Sequence, residues 1–252
     1  MESLFIITYI FITALLLGSF FNVVGLRVPN NQSIVVPRSA CPNCKHQLTA
    51  VELIPVFSFL LQKGSCKSCK ASISPIYPVV ELITAILFTI SPLLVGWSKE
   101  LVISWTLISL FMIIFVSDVH YMIIPDKVLL FFFGLFFIER ILIPLTPWWD
   151  SLLGAIVGFT LLLVIAIVSK GGMGGGDIKL FGLIGFVVGW KLVLLSFFLS
   201  TLAGALFGIV GILIGKVKKG KPFPFGPYII LGTLLAYFFG DQLIRLYLTM
   251  FI

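Results

Sequence analysis

The sequence predicts an all-α polytopic membrane protein of about eight transmembrane helices, carrying one small cytoplasmic zinc-binding loop domain. Three observations predict it. The 252 residues are 60% hydrophobic and 11% charged, with a mean hydropathy of +1.18, whereas soluble domains are about half apolar and about a quarter charged. Long apolar runs recur along the chain, and a helix needs about 20 such residues to cross the hydrocarbon core. All four cysteines fall in the one sizeable polar insertion.

The apolar runs lie at 4–26, 76–97, 101–118, 127–146, 151–169, 178–190, 192–215 and 226–250, the sixth of them short. The first is too long for a cleaved signal peptide and is flanked by Glu2 rather than by basic residues. Lipid offers backbone groups no partners, so these runs are expected as helices. Their all-round hydrophobicity blurs the 3.6-residue period, and length carries the assignment. With the N-terminus outside, eight crossings leave Lys99, Arg140, Lys191 and Arg245 on the outer side. The other thirteen of the 17 basic residues, Lys216, Lys218, Lys219 and Lys221 included, fall on the inner side. That is a positive-inside distribution. The net charge of +7 therefore orients the chain and favours membrane lipid as a partner, not nucleic acid. The division expected is a first span at 1–27, a cytoplasmic cysteine loop at 28–75 and a membrane core at 76–252.

The insertion carries "CPNC" (Cys41, Cys44) and "CKSC" (Cys66, Cys69), a C-x2-C-x21-C-x2-C pattern. Four thiolates suit tetrahedral zinc, and the x2 spacing lets one tight turn aim two sulfurs at one ion. Redox-active or incidental pairs are the alternative, but a cytoplasmic setting keeps thiols reduced. Four protein ligands leave no open position, so the zinc expected is structural. A module of this size builds little core, and a metal staple compensates.

Only ten acidic residues are present. Glu2, Glu100, Asp150 and Asp241 fall near outer ends or a terminus. Glu52 lies in the insertion, Glu81 near the start of the second span, and Glu139 beside Arg140. Three remain. Asp126 follows Pro125 and precedes an apolar run, which reads as a helix N-cap, structural duty standing level with catalysis. Asp118 ends the third span, where the helix macrodipole disfavours a carboxylate, so it is the stronger functional candidate. Asp177 opens the sixth span, where capping is again an alternative. The threading brings Asp118 and Asp177 to the same cytoplasmic edge, although 59 positions separate them.

Two carboxylates sharing a water point to aspartic-protease chemistry. Like charges held close share a proton, so the ionised member activates water while the protonated member donates to a peptide carbonyl. Five glycines between Gly171 and Gly176 give a substrate backbone room to approach. A proton- or cation-coupled transporter would use the same acids and broken helices. On residue chemistry the two classes stand nearly level, the absence of paired repeat halves favouring the enzyme. A nonenzymatic assembly factor for a surface filament is a third class.

Several motifs then coincide. "GMGGGDIKL" holds Gly174-x-Gly176-Asp177, the GxGD signature of a class of membrane aspartyl proteases, and Asp118 stands eight residues before the Pro-Asp pair of "IPD" (Asp126). "GSFFNVVGLRVP", "ELIPVFSFLLQKGSCKSC", "YPVVE" and "PFGPYIILG" accompany them. The whole chain resembles the type IV prepilin peptidases (leader peptidases, the A24 aspartic peptidases). It is similar in compactness to the Gram-positive competence enzymes that process pseudopilins for DNA uptake.

The resemblance implies an endopeptidase of the bacterial cytoplasmic membrane. It would cut the basic leader from type IV prepilins or pseudopilins, the subunits of pili and secretion systems, after a glycine on the cytoplasmic side. N-methylation of the new N-terminus with S-adenosylmethionine often follows. Carried over by motif, Asp118 and Asp177 are catalytic, Gly174 and Gly176 belong to the signature, and Asp126 matches a recurring supporting acid. Gly171, Gly172 and Gly175 fall outside the signature and supply mobility. The position two after Asp118, often acidic in the family, is His120 here. It reads as a membrane-interface histidine, with a role tuning the pair as the alternative. No glycine-rich dinucleotide-type loop assigns cofactor-binding residues. Glu52 is singled out for methylation support against a solvated or zinc-module role.

Overall fold

A computed structural model describes residues 2–170, 172–215 and 224–251. Gly171, Lys216, Lys218, Lys219 and Lys221 lie outside the described residues. Among the described residues nine α-helices follow one another: α1 Glu2–Arg27, α2 Phe57–Leu61, α3 Ile76–Val95, α4 Glu100–Tyr121, α5 Asp126–Leu142, α6 Asp150–Val168, α7 Gly175–Val188, α8 Trp190–Leu213 and α9 Gly226–Phe251. A 3-10 turn, Val51–Leu53, precedes α2. Apart from α2, each helix overlies one apolar run expected from the sequence. Six of them (α1, α3, α4, α6, α8 and α9) are long and apolar enough to cross a membrane. α5 has 17 residues and α7 has 14.

The chain divides into two compact units, Met1–Ser117 and Asp118–Ile252. In the first, α1 packs on α3 through a small residue. A Cβ at Gly18 would lie 2.7 Å from the Glu81 Cα, so the backbones approach as closely as glycine allows. Seven residues on, Gly25 meets Val116 of α4 in the same way, at 2.7 Å. Asn22 between them donates to the Tyr77 carbonyl at 3.2 Å. Trp105 of α4 stacks on Phe88 of α3 at 5.8 Å and donates to its carbonyl at 3.0 Å.

In the second unit α7 is the central helix, contacted by α5, α6, α8 and α9. Ile178, Leu180, Phe181, Leu183, Ile184, Phe186, Val187 and Val188 are all buried. A helix apolar on every side belongs inside a bundle. Gly154 of α6 and Gly185 of α7 face each other backbone to backbone, as do Gly232 of α9 and Ser200 of α8. Fourteen residues reach only about 21 Å, short of a hydrocarbon core of about 30 Å. The C-terminal end of α7 is satisfied inside the protein. Buried Arg140 donates from Nε and Nη2 to the Val187 carbonyl, a cation where the macrodipole is negative. The chain turns at Gly189, φ +84°, and the Asp150 carboxylate accepts the Trp190 N–H at the start of α8, at 3.2 Å.

Candidate active site

Asp118 lies in the last turn of α4 and is 5% exposed. Its Oδ2 accepts a hydrogen bond of 2.7 Å from the backbone N–H of Gly226, the first residue of α9. The C-terminal end of its own helix disfavours the acid, but the N-terminal end of another helix receives it. The contact admits no side chain: a Cβ at Gly226 would lie 2.6 Å from Asp118 Oδ2 and 3.0 Å from Cγ. α4 closes with Met122 at φ +54°, its N–H donating to the Asp118 carbonyl at 2.8 Å.

Asp177 stands in the first turn of α7, whose N-cap is Gly174. The helix starts at Gly175, so Asp177 lies within it rather than before it. The two signature glycines have different surroundings. A Cβ at Gly174 would lie 3.0 Å from Asp177 Oδ2, and one at Gly176 would lie 2.8 Å from the Ile124 Cβ. Gly176 thus seats the start of α7 on the α4–α5 connection that follows Asp118. Around Gly175 there is open space, and the Gly172 N–H donates to Ser169 Oγ at 3.2 Å. The carboxylates of Asp118 and Asp177 come within electrostatic reach of each other, from helices whose sequence positions are far apart.

Asp126 is not the N-cap expected from the sequence. Pro125, with extended ψ of 125°, holds that position, and Asp126 is the first residue of α5. Its carboxylate instead pairs with Lys179 Nζ at 2.7 and 2.8 Å, both side chains being more than half exposed. His120 is exposed, its ring 6.1 Å from that of Tyr121.

The cysteine insertion, within the first unit, holds two copies of one knuckle. The Cys41 N–H donates to the His46 carbonyl and the Lys45 N–H to the Cys41 carbonyl. Cys66, Ala71 and Lys70 repeat this pattern. Lys45 and Lys70 share the left-handed conformation, at φ +60° and +59°. All four thiols are free and their sulfurs lie within 4.8 Å of one another. Cys41 Sγ is 3.8 Å from Cys69 Sγ, and Cys44 Sγ is 3.9 Å from Cys66 Sγ. Sulfurs held about 2.3 Å from a tetrahedral ion are about 3.8 Å apart, so the cluster fits such an ion. The Ala71 N–H and then the Asn43 amide hold Cys69 down to about 6. The His46 N–H acts to lower Cys44, but burial and the neighbouring sulfurs outweigh it and push that thiol up to about 11. Four crowded sulfurs resist ionising together without a cation.

Two further carboxylates organise the insertion. Glu52 Oε2 accepts from the Thr49 N–H at 3.0 Å, Thr49 Oγ1 at 2.8 Å and meets His46 Nε2 at 3.2 Å, clasping the first knuckle to the 3-10 turn. Glu81, buried on α3, accepts the Val56 N–H at 2.8 Å, where the chain enters α2.

Residues 12–95 match the bacterial peptidase A24 N-terminal domain, and residues 105–209 match the type IV leader peptidase family. The chain is 48% identical over 244 residues to the prepilin leader peptidase/N-methyltransferase of Bacillus subtilis (strain 168), covering 97% of this chain and 98% of that protein. The chain belongs to the type IV leader peptidase family. Relatives of the same name are 35% identical in Aeromonas salmonicida (strain A449), over 95% of this chain and 93% of theirs, and 33% identical in Pseudomonas aeruginosa, over 93% and 90%. No solved structure matches the chain. The transport alternative finds no support among these relatives. Asp118, Asp126 and Asp177 lie in the leader-peptidase segment, and the cysteines lie in the N-terminal one. Sequence reasoning missed three residues: Gly226, Lys179 and Glu81. Each stands inside a motif quoted for the resemblance, "PFGPYIILG", "GMGGGDIKL" and "YPVVE", which was the one signal available.

Proposed function

We propose that the chain is a membrane aspartic endopeptidase that removes the basic leader of type IV prepilins or pseudopilins after a glycine. Asp118 and Asp177 are its catalytic pair. The observation that carries this reading is that these two carboxylates, from α4 and α7, lie within electrostatic reach of each other, in a chain of this family. One member, ionised, takes a proton from water as the oxygen adds to the scissile carbonyl carbon. The other, protonated, donates to the carbonyl oxygen. As the tetrahedral carbon collapses, the C–N bond breaks and the departing nitrogen takes a proton from the pair. Gly226 positions Asp118, and Gly174 leaves the Asp177 carboxylate uncrowded.

The finer architecture belongs to the same proposal. α5 and α7 complete eight crossings with the N-terminus outside, a first span at 1–27, the cysteine loop at 28–75 and the peptidase core at 76–252. The basic-residue distribution supports a cytoplasmic cysteine loop and active site. Cys41, Cys44, Cys66 and Cys69 would hold zinc, which would supply folding free energy and no catalysis, since protein ligands fill every position. Its relatives' naming supports N-methylation of the product, and the resemblance to competence enzymes supports pseudopilin substrates. The cleft lined by Arg27 and Arg38 offers no acid to face the sulfonium of S-adenosylmethionine.

Leader cleavage of a prepilin by the purified protein in detergent tests the reading. Asp118→Asn and Asp177→Asn should each lower the rate by at least about a thousandfold with an unchanged melting profile. Full activity in either variant would remove that residue from the pair.

A further inference from the structure

We propose that the cleft between Arg27 and Arg38 binds the phosphate of an anionic phospholipid at the bilayer edge, seating the cysteine insertion on the membrane. The cleft has a volume of about 390 Å3, and Val35, Pro37 and Leu53 complete its apolar wall. Arg27 is the last residue of the candidate span Leu4–Arg27. The cleft therefore opens where that helix leaves the hydrocarbon, at the depth of lipid headgroups. Arg27 donates to the Ser33 carbonyl at 3.0 Å, which folds the following loop back over the helix end. Arg38 is exposed, and no ion pair involves it among the described residues.

The loop between the arginines is apolar in an exposed place. Ile34, Val35 and Val36 are 40, 76 and 67% exposed. Three consecutive bare aliphatic side chains at the end of a membrane span are costly in water and favourable in the acyl boundary. Two guanidinium groups beside them match a phosphodiester, which arginine recognises through paired N–H donors. No acidic side chain lines the cleft, so a cationic ligand is disfavoured. Headgroup charge and acyl surface are thus met by adjacent parts of one loop, independently of the peptidase reading.

Native mass spectrometry of the full-length protein, titrated with phosphatidylglycerol and phosphatidylcholine, tests the site. Metal content serves as the control for an intact module. The unaltered chain should retain phosphatidylglycerol preferentially. Arg38→Gln should weaken that retention about fivefold, since a basic residue near an anionic surface contributes about that factor, and the double change with Arg27→Gln should weaken it further. Tryptophan placed by Val35→Trp should be quenched by brominated acyl chains. Equal retention of both lipids, or retention unchanged in Arg38→Gln, overturns the proposal. So does inorganic phosphate binding as tightly as the lipid, or S-adenosylmethionine displacing it.

Discussion

The carboxylate of Asp118 sits 2.7 Å from the backbone N–H of Gly226, so an acid ending α4 rests on the first residue of α9. An acid in the last turn of a helix loses a few tenths of a kcal/mol or more to the macrodipole, and one at an N-terminus gains as much. The second helix thus reverses what the first disfavours. It also fixes the orientation of the carboxylate, leaving Oδ1 for other work.

The N–H itself survives in Gly226→Ala, so that substitution tests the space rather than the bond. The new methyl would meet Asp118 Oδ2 at 2.6 Å, and the carboxylate must move. A displacement of about 1 Å at a reacting group costs up to about a hundredfold in rate. Gly226→Ala is expected to lower kcat for leader cleavage by roughly tenfold to a hundredfold, with helical content by circular dichroism retained. An unchanged kcat would show that Asp118 has room to spare.

Length and composition made the eight apolar helices legible, six of them long enough to cross a membrane, because a chain in lipid has few other ways to satisfy its backbone. That Asp118 and Asp177 lie within electrostatic reach of each other agrees with the shared edge expected for them from the sequence. Their partners were not legible. Gly226 is 108 residues from Asp118, and Lys179 is 53 from Asp126; no local period or cap signal reports such contacts. Asp126 was misread for a related reason. An acid after proline satisfies the rule for an N-cap and for the first helical turn alike, and only the backbone at Pro125, extended at ψ 125°, separates the two.

Asp126 and Lys179 form a close but exposed pair. Ion pairs of this kind contribute about 0–1 kcal/mol and weaken in salt. Asp126→Asn and Lys179→Met should each retain measurable cleavage and lower stability by no more than about 1 kcal/mol. A double-mutant cycle on thermal unfolding in detergent should give a coupling of the same size. Complete loss of cleavage in folded Asp126→Asn would move that acid into the chemistry.

The sulfur spacing predicts one zinc per chain by elemental analysis. Replacing Cys41 and Cys66 together by serine takes one ligand from each knuckle and should abolish it. Without the ion, the repeated knuckles lose their common tie. Hydrogen exchange should therefore accelerate across residues 38–75 while exchange within α7 stays slow. Retention of metal by the double variant would refute the four-sulfur site.

Glu52 supplies a pH dependence with a definite sign. The Thr49 N–H, followed by the Thr49 hydroxyl and His46, holds its carboxyl down at about 2, against 4.5 for a free one. In the folded clasp the group binds its proton later than in the opened chain. Above pH 4.5 both forms are ionised and the full contribution to stability is present. As pH falls from 4.5 toward 2, the opened chain takes up protons first and the contribution is lost. Hydrogen exchange of residues 46–53, corrected for intrinsic rates, should show opening that rises across this interval. Acid also releases metal from thiolates, so the comparison is with Glu52→Gln, in which metal loss is common to both proteins but the carboxylate is absent. The wild-type advantage over Glu52→Gln should shrink as pH falls from 4.5 toward 2. An advantage that stays level through that interval would mean the clasp does not depend on the charge of Glu52.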